Sequence, residues 1–300
     1  MPKIDIAVYK SHSGPRIKGA LKYTLPHNPQ TVDGIIYCMT KVEGGKWDNI
    51  NMFDNAGVSI SILQWTTKSN HVARLLELYK KYHLTEYINE SFVDMMLNDG
   101  IDIHEGQFVH IGGHKELTQE EIVDAFCPFE NNRTKKAENK SKKIALAAWK
   151  MCRNSLFQGI QEEYAEWQIK KYLGYKLEKQ YGTGKRNWQV SEALGVAWNY
   201  IDKALLENLE KKFEDARLMM FYFGMNVNAP SVARKYLEEC IDELGYKNIG
   251  QVNIKDVYEK LVDKCFGSSY GAWGESAIKR GRKPRTQKVL DVIDKLYGEL

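Results

Sequence analysis

No stretch of the 300 residues is apolar over the roughly 18 positions that a membrane-spanning helix needs, so no membrane span is expected. The first ten residues, Met1 to Lys10, alternate like a strand and lack the apolar centre of a signal peptide, which predicts synthesis in a cytoplasm without a leader. Cys-x-x-Cys pairs are also absent. The five cysteines (Cys38, Cys127, Cys152, Cys240, Cys265) are odd in number and far apart, a poor disulfide framework and no zinc site, so buried free thiols are expected. Charge of one sign is scarce too: the net charge of +4 suits an anionic wall or a nucleic acid without choosing between them. Gly182-Thr183-Gly184-Lys185 lacks the spacing and ending of a phosphate loop. His110 and His114 flank Gly112-Gly113 with no third ligand at metal spacing, so neither metal nor cofactor is expected.

What is present is enough apolar residue, 43%, for a sizeable core in one large or two modest domains. Residues 1–30 hold a strand and a Gly/Pro-punctuated segment and read as an N-terminal arm. Helical spacing recurs over 72–97, 144–172, 190–223, 231–244, 254–266 and 286–300. Residues 100–117 alternate around Glu105-Gly106 as a hairpin does, and Thr118-Gln119-Glu120-Glu121 is a capping box that opens a helix toward Phe126. Residues 131–143 are polar and Lys-rich, a loop or the exposed start of the next helix. The fold class predicted is α+β and predominantly helical, with one or two small hairpins.

The richest stretch runs from Val42 to Trp65. A carboxylate, Glu43, closes an apparent helix; a Gly- and Asn-rich loop follows, then Asp54, then a short alternating strand Ser59-Ile60-Ser61-Ile62 that ends on Gln64-Trp65. Cleaving a glycosidic bond needs a sheltered acid facing a polar groove that stabilises positive charge on the sugar. Apolar neighbours (Ile35, Ile36, Tyr37, Met39, Val42) make Glu43 the candidate acid, since they disfavour a charged carboxyl. Asp54 is the candidate second carboxylate, and equally a turn-former within Asp54-Asn55-Ala56-Gly57; Asp48 is a weaker alternative. Ser59 and Ser61 would share one strand face and hold water or sugar. Gln64 would bond an acetamido group, and Trp65 and Tyr37 would stack on sugar rings or serve the core.

Glu43-Gly44-Gly45, Asp54-x-x-Gly57-x-Ser59 and Ile62-Leu63-Gln64-Trp65, in that order, resemble the lysozyme-like superfamily of phage and bacterial muramidases and lytic transglycosylases. Phe221 to Ala233 is similar to a segment of phage-type hydrolases in which a helix ends in Val-Asn before a turn, and Asn228 matches that Asn. Ser61 departs from the Gly that relatives mostly carry there. The resemblance implies a lysozyme-like catalytic domain over 31–300, with an insertion around 100–185 and a small hairpin beside the active-site helix. It implies cleavage of the β-1,4 bond between N-acetylmuramic acid and N-acetylglucosamine in peptidoglycan, by hydrolysis or by transglycosylation. Glu43 would protonate the leaving oxygen, Asp54 and Ser59 or Ser61 would assist, and Asn228 would lie near the groove. A phage lysis enzyme or a virion-borne hydrolase fits, acting on the cell wall. The rival of another class is a non-catalytic phage protein that keeps the scaffold for assembly or wall binding. The basic run Lys279 to Arg285 reads as a solvated linker before the last helix rather than as a nucleic-acid site.

Overall fold

The structure is a computed structural model that describes residues 1–26, 29, 31–53, 55–82, 92–113, 115–181, 184–194 and 216–298. It is an α+β fold in which helix predominates, as the sequence predicts. None of the described helices is long and apolar enough to cross a membrane. The chain forms two compact units, Met1–Tyr23 with Glu43–Tyr164, and Thr24–Val42 with Ala165–Leu300.

The first unit is built on a five-stranded antiparallel sheet in the order β1 (Ile4–Tyr9), β2 (His12–Ile17), β3 (Ile50–Asn51), β4 (Ser59–Ile60), β5 (Trp65–Thr66). Residues 1–30, expected as an arm, supply two of these strands, since β2 pairs with β3 through Arg16–Asn51 and Ile17–Ile50. Backbones approach closely there: a Cβ on Gly14 would lie 1.6 Å from the Met52 carbonyl oxygen, so only glycine fits. Helix α1 (Val32–Glu43) leads into β3. Helices α2 (His71–Tyr82) and α3 (Phe92–Asn98) bracket the described part of the 72–97 segment, and residues 83–91 lie outside the described residues.

The expected hairpin is β6 (Ile101–His104) and β7 (Gln107–His110), turning on Glu105 and Gly106 with both φ angles positive, at 50° and 71°. The capping box opens α4 (Gln119–Phe126): the Thr118 hydroxyl accepts from the Glu121 amide at 3.2 Å, and the Glu121 carboxylate accepts from the Thr118 amide at 2.7 Å. The Lys-rich stretch enters a helix at once, α5 (Lys135–Cys152), which packs on β2, β3 and β4. Asn154 then breaks the periodicity, its side chain capping α6 (Ser155–Leu173) through the Leu156 amide at 2.9 Å.

The second unit centres on the helix Arg217–Asn226, buried from Leu218 to Asn226 and flanked by helices Pro230–Glu243, Ile254–Phe266 and Arg285–Gly298. A stretch hydrophobic on every side belongs in such a centre. Within this unit α1 is likewise buried, from Gly34 to Thr40, and its Cys38 thiol donates to the Met220 carbonyl at 3.7 Å. A further hairpin, β8 (Lys176–Tyr181) and β9 (Gly184–Gln189), was not foreseen; residues 182 and 183 lie outside the described residues. So does the middle of the expected 190–223 helix, at 195–215.

All five cysteines are free and buried. Burial pushes the Cys38 and Cys240 thiols up to about 12, and those of Cys152 and Cys265 also upward. The thiolate is the reactive form, so an aromatic disulfide reagent at pH 8 should label the native protein at least about a hundredfold more slowly than the denatured chain. Rapid native labelling would contradict this packing.

Candidate functional site

Glu43 is the last residue of α1, a helix buried on every side from Gly34 to Thr40. Glu43 itself is half-buried, and the chain leaves it through Gly44 (φ 118°) and Gly45 (φ 56°). The first of these angles is open only to glycine, so the pair fixes an abrupt exit from the helix. The connection to β3 is then clamped by Asp48, 1% exposed. Asp48 Oδ1 accepts from the Ala20 and Leu21 amides at 2.8 and 2.9 Å; its Oδ2 accepts from Trp149 Nε1 at 3.2 Å and Arg153 Nη1 at 2.9 Å. Every Asp48 oxygen is committed to structure, which removes it as the alternative second carboxylate. Gly19 beside it donates to the Asn49 side chain at 2.8 Å.

The expected strand 59–62 is corrected. Only Ser59 and Ile60 form β4; residues 61–64 turn, with Ser61 (φ 68°) and Gln64 (φ 53°) in the left-handed region, and β5 returns at Trp65. Ser59 and Ser61 therefore do not share a strand face. Both are buried, at 1% and 0% exposure, so neither hydroxyl is presented to a ligand, and their sugar-holding role is withdrawn. Among the described residues the Ser61 hydroxyl has no hydrogen-bond partner.

Gln64 is half-buried and held at both ends: its Oε1 accepts from Asn51 Nδ2, and its Nε2 donates to the Ser61 carbonyl at 2.7 Å. Each group keeps a spare lone pair or N–H, so the amide can still meet a ligand. Asn51 was missed because its partner comes from the other end of a hairpin that the sequence reads as one strand.

Asp54 lies outside the described residues, but the chain after it is firmly braced. Thr67, fully buried, accepts from the Val58 amide at 2.9 Å and donates to the Ala56 carbonyl at 2.9 Å through one hydroxyl, while its backbone N–H reaches the Val58 carbonyl. Replacing Thr67 by Val keeps the shape, strands the Val58 amide and takes one of two donors from the Ala56 carbonyl, which keeps the Lys68 amide, an expected loss of about 1–2 kcal/mol. Chemical denaturation measures it; an unchanged midpoint would contradict the brace.

Two expected stacking residues are core residues instead. Trp65 is 3% exposed, its ring 5.6 Å from that of Tyr164, and Tyr37 is 6% exposed beneath the Lys41 ammonium. Neither offers a ring face to a sugar. In the second unit Asn228 is exposed, and its Oδ1 accepts from the buried Trp273 indole at 3.1 Å, so it ties a loop rather than capping the helix. Among the described residues no group of three or more His, Cys, Asp or Glu could hold a metal ion.

Of the expected site residues, those that keep a polar group within reach of solvent are Glu43, half-buried at the end of α1, and Gln64, half-buried and hydrogen-bonded to Asn51. Compared with protein-family models, curated proteins and solved structures, the chain matches none.

Proposed function

We propose that the protein is a glycosidase that cuts the β-1,4 bond between N-acetylmuramic acid and N-acetylglucosamine in peptidoglycan, with Glu43 as the general acid. The observation that carries this reading is the placing of Glu43: the last residue of α1, half-buried, and followed through two positive-φ glycines by the β3–β4–β5 sheet. In the reaction Glu43 gives its proton to the bridging oxygen as the C–O bond breaks, and positive charge develops on the muramic ring. Asp54 is the carboxylate assigned to that charge. Gln64, steadied by Asn51, is assigned the acetamido group. Water, or the muramic acid's own hydroxyl, then completes the transfer, giving hydrolysis or an anhydro product. The order of motifs that resembles lysozyme-like muramidases supports the same assignment and places the work on the cell wall. The test is an overlay of purified cell walls in a renaturing gel, with fragments read by mass. Cleared bands with glycan fragments support the reading; uncut walls with intact folded protein would overturn it and leave the wall-binding scaffold.

A further inference from the structure

The second unit holds a set of polar groups that neither the fold nor the Glu43 site uses. Tyr222 and Asn226 lie one turn apart on the same face of the central helix Arg217–Asn226, at 0% and 1% exposure. Among the described residues, neither the Tyr222 hydroxyl nor either atom of the Asn226 amide completes a hydrogen bond of ordinary geometry, although the two side chains lie near enough to act on each other. Buried groups in this condition are rare in folded proteins and ask for a ligand. Burial is the main influence that pushes the Tyr222 hydroxyl upward and keeps it a donor; Asn226 and Arg234 oppose that shift, while Tyr172 and Tyr175 add to it, so all four lie near enough to act on the hydroxyl.

Arg234, half-buried on helix Pro230–Glu243, lays its guanidinium 5.3 Å from the centre of the Tyr175 ring. Its neighbouring cations are taken, since Arg186 and Lys179 both pair with Asp242. Arg234 has no ion pair among the described residues, although Glu238 stands one turn along its own helix. We propose that this cluster is a second binding site, for a ligand that presents an amide beside a carboxylate. Asn226 offers one donor and one acceptor, the complement of another amide, and Tyr222 adds a donor. The planar fork of Arg234 complements a carboxylate, and its side chain is half-buried, so a ligand can reach it from solvent. Glu238, with its carboxyl pushed up by burial, stands at the side. A muramoyl peptide carries both groups, the acetamido amide and the peptide carboxylates; this choice of ligand rests on the glycosidase reading, whereas the unpaired groups do not.

Calorimetric titration of the full chain with N-acetylmuramoyl-L-alanyl-D-isoglutamine tests it, with N,N′-diacetylchitobiose as the amide-only control. Saturable binding of the muramoyl dipeptide in preference to the disaccharide is expected, and Arg234→Met should weaken it at least about tenfold and erase the preference. Arg234→Lys should recover only part of it, because the charge returns without the fork. Asn226→Leu should weaken both ligands, and Arg234→Met keeps the test valid if that core variant does not fold. No binding at millimolar ligand, or equal affinity in Arg234→Met, would overturn the inference. Walls cleared by a protein that does not bind the dipeptide sink this site alone, whereas dipeptide binding by a protein that leaves walls intact supports this site and sinks the glycosidase reading.

Discussion

Asp48→Ala should lower stability by about 2–4 kcal/mol, less than for a fully buried ion pair because the Arg153 side chain is 39% exposed to water. The carboxylate is 1% exposed and collects four donors from three separate parts of the first unit: the 20–21 backbone, Trp149 and Arg153. Truncation strands two backbone amides and an indole without acceptors, and leaves the Arg153 charge uncompensated where it stacks on the Trp149 ring. An unpaired buried donor costs more than the net value of its bond. Asp48→Asn should recover part of the loss, since one oxygen still accepts. The melting temperature should fall by about 5 °C or more in the alanine variant. A shift under about 2 °C would mean that the connection from α1 to β3 is held by something else.

Glu43→Gln should behave in the opposite way. The side chain keeps its size and the helix end keeps its two glycines, so the melting temperature should stay within about 1 °C. Wall cleavage should fall by about a hundredfold to ten-thousandfold, the range for removing a general acid, because an amide has no proton to give the leaving oxygen. Glu43→Asp should retain a proton but draw it back by one methylene, and so lie between the two. This separation of rate from stability distinguishes an acid from a structural carboxylate: Asp48 is expected to move stability, and Glu43 to move rate alone.

Local signals carried much of the fold. The Thr118–Glu121 box, the Glu105-Gly106 turn and the helical spacing over 144–172 are specified within a few residues and were readable in the chain, although the break at Asn154 between α5 and α6 was not. The features that escaped depend on distant partners. Ser59-Ile60-Ser61-Ile62 alternates as a strand does, yet Ser61 turns away because Ile60 must pair back to Trp65. β8 and β9 read Lys-Leu-Glu-Lys-Gln-Tyr and Gly-Lys-Arg-Asn-Trp-Gln, too polar to announce a strand; Lys179 and Arg186 on the hairpin pair with Asp242. Asp48 looked like a loop residue because its indole and guanidinium donors come 101 and 105 residues later. Asn228 drew notice for its place before Ala229-Pro230, whereas two residues earlier Asn226 has a buried amide without a hydrogen bond of ordinary geometry among the described residues. The helix end at Glu43 was legible, since Gly44 and Gly45 follow it directly.

The measurement that bears most directly on the central claim is the initial rate of glycan-end release from purified sacculi, reducing and anhydro ends summed, by the protein and by Glu43→Gln at equal folded concentration. A rate at least about a hundredfold lower in the variant, with matching melting curves, is the predicted result. Equal rates in the two proteins would contradict the assignment of the acid.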